Sequence, residues 1–173
     1  APERPRSNVR GRLVGMIQSG FDPASRFRFL QLVPHLRSGG WDVDVRRNRP
    51  DRWWRSSWKT RVARAAHYRA GRALMKLNRL RDIRSTRGAD VVFVNRDLAG
   101  GGLFFERHLI RTNPRVVFDF DDAIFLGEKN KDVVRWICEN AAWVTPGNAF
   151  LADWARQFSE RVTVIPTVID TDL

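Results

Sequence analysis

Residues 115–125 run Arg115-Val116-Val117-Phe118-Asp119-Phe120-Asp121-Asp122-Ala123-Ile124-Phe125, an apolar stretch that meets three carboxylates within four residues. A short continuous apolar run bounded by polar residues reads as a buried parallel strand. In an open α/β sheet, ligands bind beyond the carboxyl ends of such strands. Asp119, Asp121 and Asp122 therefore stand where acid–base, hydroxyl-binding or metal-binding chemistry would sit. Strand alternation places Asp119 and Asp121 on one face and Phe120 on the other. Clustered carboxylates repel, so one carries a raised pKa unless a cation lies near. The plain structural alternative is that Asp122 caps a turn and Asp119 pairs with an arginine.

The remaining apolar runs arrange themselves around this strand. Residues 12–18 read as a first strand, 19–23 as a turn, and 24–37 as a helix that Pro34 kinks or breaks. Gly39 and Gly40 stop that helix, and residues 41–45 alternate as a second strand. Further strands are expected at 89–95, 143–145 and 161–166. Helices are expected at 103–111, 132–140 and 148–158, the last capped by Asn148 with Leu151, Trp154, Ala155 and Phe158 on one face. Strands alternating with helices predict a doubly wound, mainly parallel, Rossmann-like α/β sheet in a single domain over residues 1–173. The 173 residues and 43% hydrophobic content suit one globular domain. Residues 1–11 are expected to be flexible.

Charge is distributed unevenly. The chain carries a net +12, yet residues 46–87 hold fifteen Arg or Lys against Asp51 and Asp82, so the rest is near neutral. The segment reads as a basic helical insertion with one or two amphipathic helices over about 57–86, their apolar side formed by Val62, Ala66, Ala70, Ala73, Leu77 and Leu80. Trp53, Trp54, Arg55, Trp58, Arg61 and Arg64 form a candidate patch for an anionic partner. Arginine beside indole suits an anionic membrane surface; nucleic acid is the less favoured partner, and a solvated face is the bland alternative. No apolar run approaches the ~20 residues needed to span a bilayer. The lone Cys138 forbids an intrachain disulfide, fits a reducing, cytoplasmic compartment and reads as a buried thiol.

The turn after the first strand lacks the G-x-G-x-x-G dinucleotide fingerprint, having only Gly15 and Gly20. It still aims Ser25, Arg26 and Arg28 at the carboxyl edge, where a helix N-terminus can hold an anion; Asn95 and Arg96 follow the third strand to the same edge. Residues 117–122 look like the first motif of haloacid-dehalogenase-type phosphatases, but only about fifty residues follow for the remaining motifs, and Lys129 and Lys131 come too soon. Asp119-Phe120-Asp121 also fits the letters of a metal-dependent D-x-D, a pattern common by chance.

Several stretches taken in order resemble the N-terminal half of glycosyltransferase family 4 enzymes, of the GT-B architecture. They are Ser25-Arg26-Phe27-Arg28 leading to Gly39-Gly40-Trp41, then residues 89–96, 118–125 and 144–148. The last is Val162-Thr163-Val164-Ile165-Pro166-Thr167-Val168-Ile169-Asp170, similar to the family's V-x-V-I-P-N-G-V-D exit with Thr167 and Val168 in place of Asn and Gly. The resemblance implies an acceptor-binding domain, with residues 166–173 opening the linker to a second Rossmann-like domain. That second domain would hold the nucleotide-sugar donor, a substrate rather than a cofactor, and no metal would be needed. The implied reaction transfers a sugar, with retention, to the hydroxyl of a sugar or lipid-linked acceptor, at the inner face of a membrane. Asp119, Asp121 and Asp122 would line the reacting edge; Ser25, Arg26, Arg28, Asn95 and Arg96 would face acceptor or phosphate. The alternative from another class is a non-catalytic α/β module that binds anionic membrane or nucleic acid.

Overall fold

A computed structural model describes residues 10–48, 60–96, 98, 102–127 and 130–169. Five parallel strands form one sheet in the order β2-β1-β3-β4-β5: β1 Gly11–Ile17, β2 Trp41–Arg47, β3 Val91–Asn95, β4 Val116–Phe120 and β5 Trp143–Pro146. The chain is wound outward from β1 in both directions, which is the Rossmann-like doubly wound plan. The carboxylate-bearing β4 is an interior strand between β3 and β5.

Alternation along β1 splits the core in two. Val14 and Met16 face a large cluster with Val92, Val94, Phe118, Phe120 and Val144. Onto it pack helices α3 (Arg61–Ser85), α4 (Phe104–Thr112), α5 (Lys131–Asn140) and α6 (Ala149–Ala155), through Ile83, Leu109, Ile137 and Leu151. Leu13 and Ile17 face the smaller cluster with Phe29, Val33 and Val43, covered by α1 (Pro23–Arg28) and α2 (Val33–Ser38).

The helix expected over 24–37 is two short helices joined by a 3-10 turn at Leu30–Leu32. The break falls at Phe29 (φ −137°, ψ −57°), five residues before Pro34, which sits harmlessly in the first turn of α2. Leaving helical geometry lets the Phe29 ring lie across β1 and stack on Phe93 at 4.7 Å. Gly15 makes this possible: a Cβ there would lie 2.1 Å from the Phe29 ring.

A further expectation is corrected, for the last strand. Residues 161–166 do not form a full strand. They make one bridge, Val144 to Val162, and continue along β5 through the Ile165 N–H to Pro146 O bond of 3.0 Å. Pro166 has no N–H with which to extend the ladder. On α3 the apolar side is turned mainly outward where its side chains are described: Ala70, Ala73 and Leu77 are exposed and Leu80 is half-buried, whereas Gly71, Arg79 and Ile83 are buried. Arg79 sets that rotation. Its Nε bonds Leu98 O at 2.9 Å and its Nη2 reaches Ile17 O at 3.4 Å, carbonyls that also accept from Asn48 Nδ2 at 3.1 Å and Asn48 N at 2.9 Å, so the buried guanidinium is seated among acceptors at the ends of β1 and β3.

On α5, Val133, Val134, Ile137 and Cys138 are buried as the spacing indicates. Asn148 caps α6, accepting from Leu151 N, and Trp154 stacks on Phe125 at 4.0 Å. Burial pushes the Cys138 thiol up to about 12, with the neighbouring Glu139 charge adding to the effect.

Two measurements check this packing. Gly15→Ala is expected to lower stability by about 1–3 kcal/mol through overpacking, read by urea unfolding, and Phe29→Leu in the same chain should recover part of the loss. Cys138 should resist alkylation in native buffer and react at the rate of global unfolding, because a buried neutral thiol is no nucleophile.

Candidate active site at the carboxyl rim of the sheet

Asp22-Pro23-Ala24-Ser25 is a helix start written in sequence, with a carboxylate at the cap and proline in the first turn. Asp22 Oδ2 accepts from Ser25 N at 2.9 Å and from Ser25 Oγ at 2.9 Å. Ser25 Oγ, which has one proton to share, also lies 3.3 Å from Asn95 Oδ1 at the end of β3. This links α1 to the switch point between β1 and β3, where the strand order reverses.

At the last residue of α1, Arg28 runs beneath the rim and meets Asp119 in a two-pronged ion pair, Nε to Oδ2 at 2.9 Å and Nη2 to Oδ1 at 2.5 Å. Both side chains are almost wholly buried, at 2% and 3% exposure. A buried pair persists only when its remaining hydrogen-bonding capacity is also met, and here it is. Asp119 takes two further bonds, from Asn95 Nδ2 and Thr145 Oγ1, each at 2.9 Å. Arg28 gives its last three N–H groups to Thr145 O at 3.0 Å, Ile165 O at 2.7 Å and Thr167 Oγ1 at 3.1 Å. All five guanidinium donors and all four carboxylate acceptor sites are thus engaged inside the protein.

A second arginine holds the outer acids. Arg96 follows β3 with φ 63°, the left-handed region that a non-glycine residue enters at a cost. Its N–H bonds Asp119 O at 2.8 Å, which fixes the turn. Its Nη2 contacts Asp122 Oδ2 closely and lies 3.3 Å from Asp121 Oδ1, and its Nη1 is 3.8 Å from Asp22 Oδ1. Arg96 Nε is buried with no partner among the described residues. Asp122, at 63% side-chain exposure, is the open member of the group. Gly147 packs its bare backbone against this corner, since a Cβ there would lie 3.1 Å from Asp121 Cα and 3.4 Å from Arg28 Nη1.

The sequence candidates thus separate into layers. Arg28, Ser25, Asn95 and Asp119 come together as a buried frame, whereas Arg96, Asp121 and Asp122 come together as the accessible rim. Arg26 is not part of either; it is exposed, with its guanidinium 5.4 Å from the Phe27 ring. Trp53, Trp54, Arg55 and Trp58 lie outside the described residues, as do the side chains of Arg61 and Arg64. Three partners went unsingled in the sequence. Asp22 carried the Asp-Pro-x-Ser cap signal. Thr145 and Thr167 carried none, because their roles depend on the register that sets Thr145 opposite Asp119 and on the course of the chain past β5.

Two arginines face four aspartates across the frame and rim, so the surface keeps a net negative charge. Such a surface favours hydroxyl groups, which can donate to carboxylates, over free phosphate. Asp119 has no acceptor site turned outward, so an attack through its oxygens would require the Arg28 pair to open first. Asp121 and Asp122 keep lone pairs toward solvent.

The fold and rim together define a Rossmann-like parallel α/β domain with an acid-lined carboxyl edge. No protein-family model matches the chain, and none of the curated proteins does. Among the described residues, no helix is long and apolar enough to cross a membrane.

Removing half of the buried pair leaves the other charge stranded. Arg28→Met is expected to cost about 3–5 kcal/mol, and the double variant Arg28→Met/Asp119→Leu less than the single change. Urea unfolding reads the cost. Amide exchange over residues 162–168 should accelerate in Arg28→Met, because Ile165 O and Thr167 lose their anchor.

Proposed function

We propose that this chain is the acceptor-side domain of a nucleotide-sugar-dependent glycosyltransferase of GT-B type, related to family 4. The observation that carries the reading is the Arg96–Asp121–Asp122 group at the carboxyl rim, next to the switch point. There a carboxylate is held by a cation without being covered. The C-terminal segment supports it: residues 162–170 resemble the family's exit toward a donor domain, and within them residues 162–165 run along β5, with Ile165 O and Thr167 tied to the rim by Arg28.

In this reading an acceptor hydroxyl docks against Asp121 or Asp122, which orients it and takes its proton as the new glycosidic bond forms. Arg96 holds that carboxylate in place. The frame beneath, Arg28–Asp119 with Asn95, Ser25 and Thr145, holds the strand ends at fixed spacing. The donor diphosphate is bound mainly by a second domain, where cations and helix N-termini stabilise the leaving group. The net negative rim keeps phosphate on that opposite side. The acceptor is a sugar or a lipid-linked sugar, and transfer proceeds with retention.

A non-catalytic binding module is the second reading, favoured by the outward basic and apolar face of α3. The two separate in one assay. Transfer from radiolabelled nucleotide sugars is measured with the complete gene product and a panel of sugar acceptors. Asp121→Asn and Asp122→Asn are each made in that protein, and at least one is expected to lower transfer by about 10²-fold or more with an unchanged melting temperature. Full activity in both variants, or no transfer with any donor, would count against the enzyme.

A further inference from the structure

A cleft of about 480 Å³ lies on the opposite flank of the sheet from the β5 side of the rim, between the edge strand β2 and α3. It is lined by Val45, Arg46, Arg47, Asn78, Arg81 and Asp82, three guanidinium groups against one carboxylate. None of these residues takes part in the rim. Arg46 is held from behind, its Nε and Nη2 on Asp44 Oδ2 at 3.1 and 2.5 Å, which aims the planar group and leaves Nη1 for another acceptor. The Arg81 side chain makes no hydrogen bond or ion pair among the described residues. The backbone adds a donor. Val43 O faces the open edge of β2, where Arg37 Nη2 reaches it at 3.0 Å. By strand alternation the Val45 N–H, two residues on, faces that edge too.

Asp82 shares the concavity but makes no close ion pair with Arg46, Arg47 or Arg81 among the described residues. Its nearest cation is Arg79 at 3.8 Å, on the buried side of the helix. Burial pushes the Asp82 carboxyl above its usual range, against the pull of Arg79, Arg46 and Arg81. Planar, forked donors gathered at one concavity are the arrangement that recognises phosphate oxygens. We infer that this cleft is a binding site for a phosphate group, separate from the acidic rim.

The phosphate can belong to a soluble compound or to a lipid headgroup, and the helix itself supplies the means of telling them apart. Leu74 and Leu77 precede Asn78 and Arg81 by four residues each, so an apolar side chain sits one turn from each of two cleft-lining ones. Both leucines are exposed, Leu74 at 48% and Leu77 at 60%. A lipid phosphate seated in the cleft would bring these leucines to the acyl boundary; a soluble phosphate would not use them.

The test uses pyrophosphate in calorimetry, and vesicles of phosphatidylcholine with or without phosphatidic acid in flotation. Arg81→Ala is compared with Arg84→Ala, an exposed arginine of the same helix outside the cleft, so net charge is matched. Arg81→Ala should weaken binding at least about tenfold and Arg84→Ala less than about twofold. Pyrophosphate binding that survives Leu74→Ser/Leu77→Ser, without selective vesicle binding, assigns the site to a soluble phosphate compound. Flotation that needs phosphatidic acid, Arg81 and both leucines assigns it to a lipid headgroup. Binding of neither probe, or equal losses in the two arginine variants, overturns the site. None of these readouts depends on transfer activity, so the cleft and the proposed reaction fail separately.

Discussion

The Arg28–Asp119 pair is the contact on which the carboxyl end of the sheet depends. Parallel strands end with carbonyls and side chains converging on one edge, and nothing in the ladder itself fixes the spacing there. A guanidinium has five donors in a rigid fork, and a carboxylate about four acceptor sites. Buried together, they link α1, β3, β4, β5 and the segment after β5 in a single connected network. Isolating two ions from water is costly, and their attraction offsets the cost only when every remaining site is filled. That condition explains why Asn95, Thr145 and Thr167 gather at the same point.

The consequence for chemistry is a division of labour among the three aspartates. Asp119 is structural, consumed by the frame. Asp121 and Asp122 lie past the end of β4, where the ladder no longer dictates direction, and Arg96 gathers them with Asp22. The left-handed backbone at Arg96 is tolerated because its N–H, bonded to Asp119 O, ties the strained residue to the most rigid part of the rim. Rigid frame and accessible acid are thereby adjacent, as an acid–base or hydroxyl-orienting site requires.

The basic helix follows a different logic. Its composition favours burying alanine and leucine, but its C-terminal half docks through Ile83 and Arg79. The buried Arg79 needs acceptors, and it finds them in the carbonyls at the end of β1 and at Leu98, where Asn48 donates as well. A buried guanidinium must be hydrogen-bonded, and with Arg79 turned to these acceptors the helix leaves Leu74 and Leu77 facing solvent. Its cationic residues then divide between the exposed face and the cleft beside β2.

Much of this was legible in the residues alone. Apolar runs and, for residues 41–45, alternation indicated the strands, and 3.6-residue spacing indicated α5 and α6, because each depends on neighbours along the chain; Asp22 and Pro23, read as part of a turn, cap and open α1. Even the placement of three acids at a strand end followed from local order. What only the tertiary structure decided was which of them is buried. That depends on Arg28 being 91 residues away in sequence and in contact in space, and on a register that sets Thr145 opposite Asp119. The break at Phe29 and the rotation of α3 escaped for the same reason: each is set by a partner on another element, Phe93 over Gly15 in one case and the carbonyls beyond β1 and β3 in the other. Local periodicity fixes which elements form, while the pairing of buried charge and backbone across the fold fixes how they face.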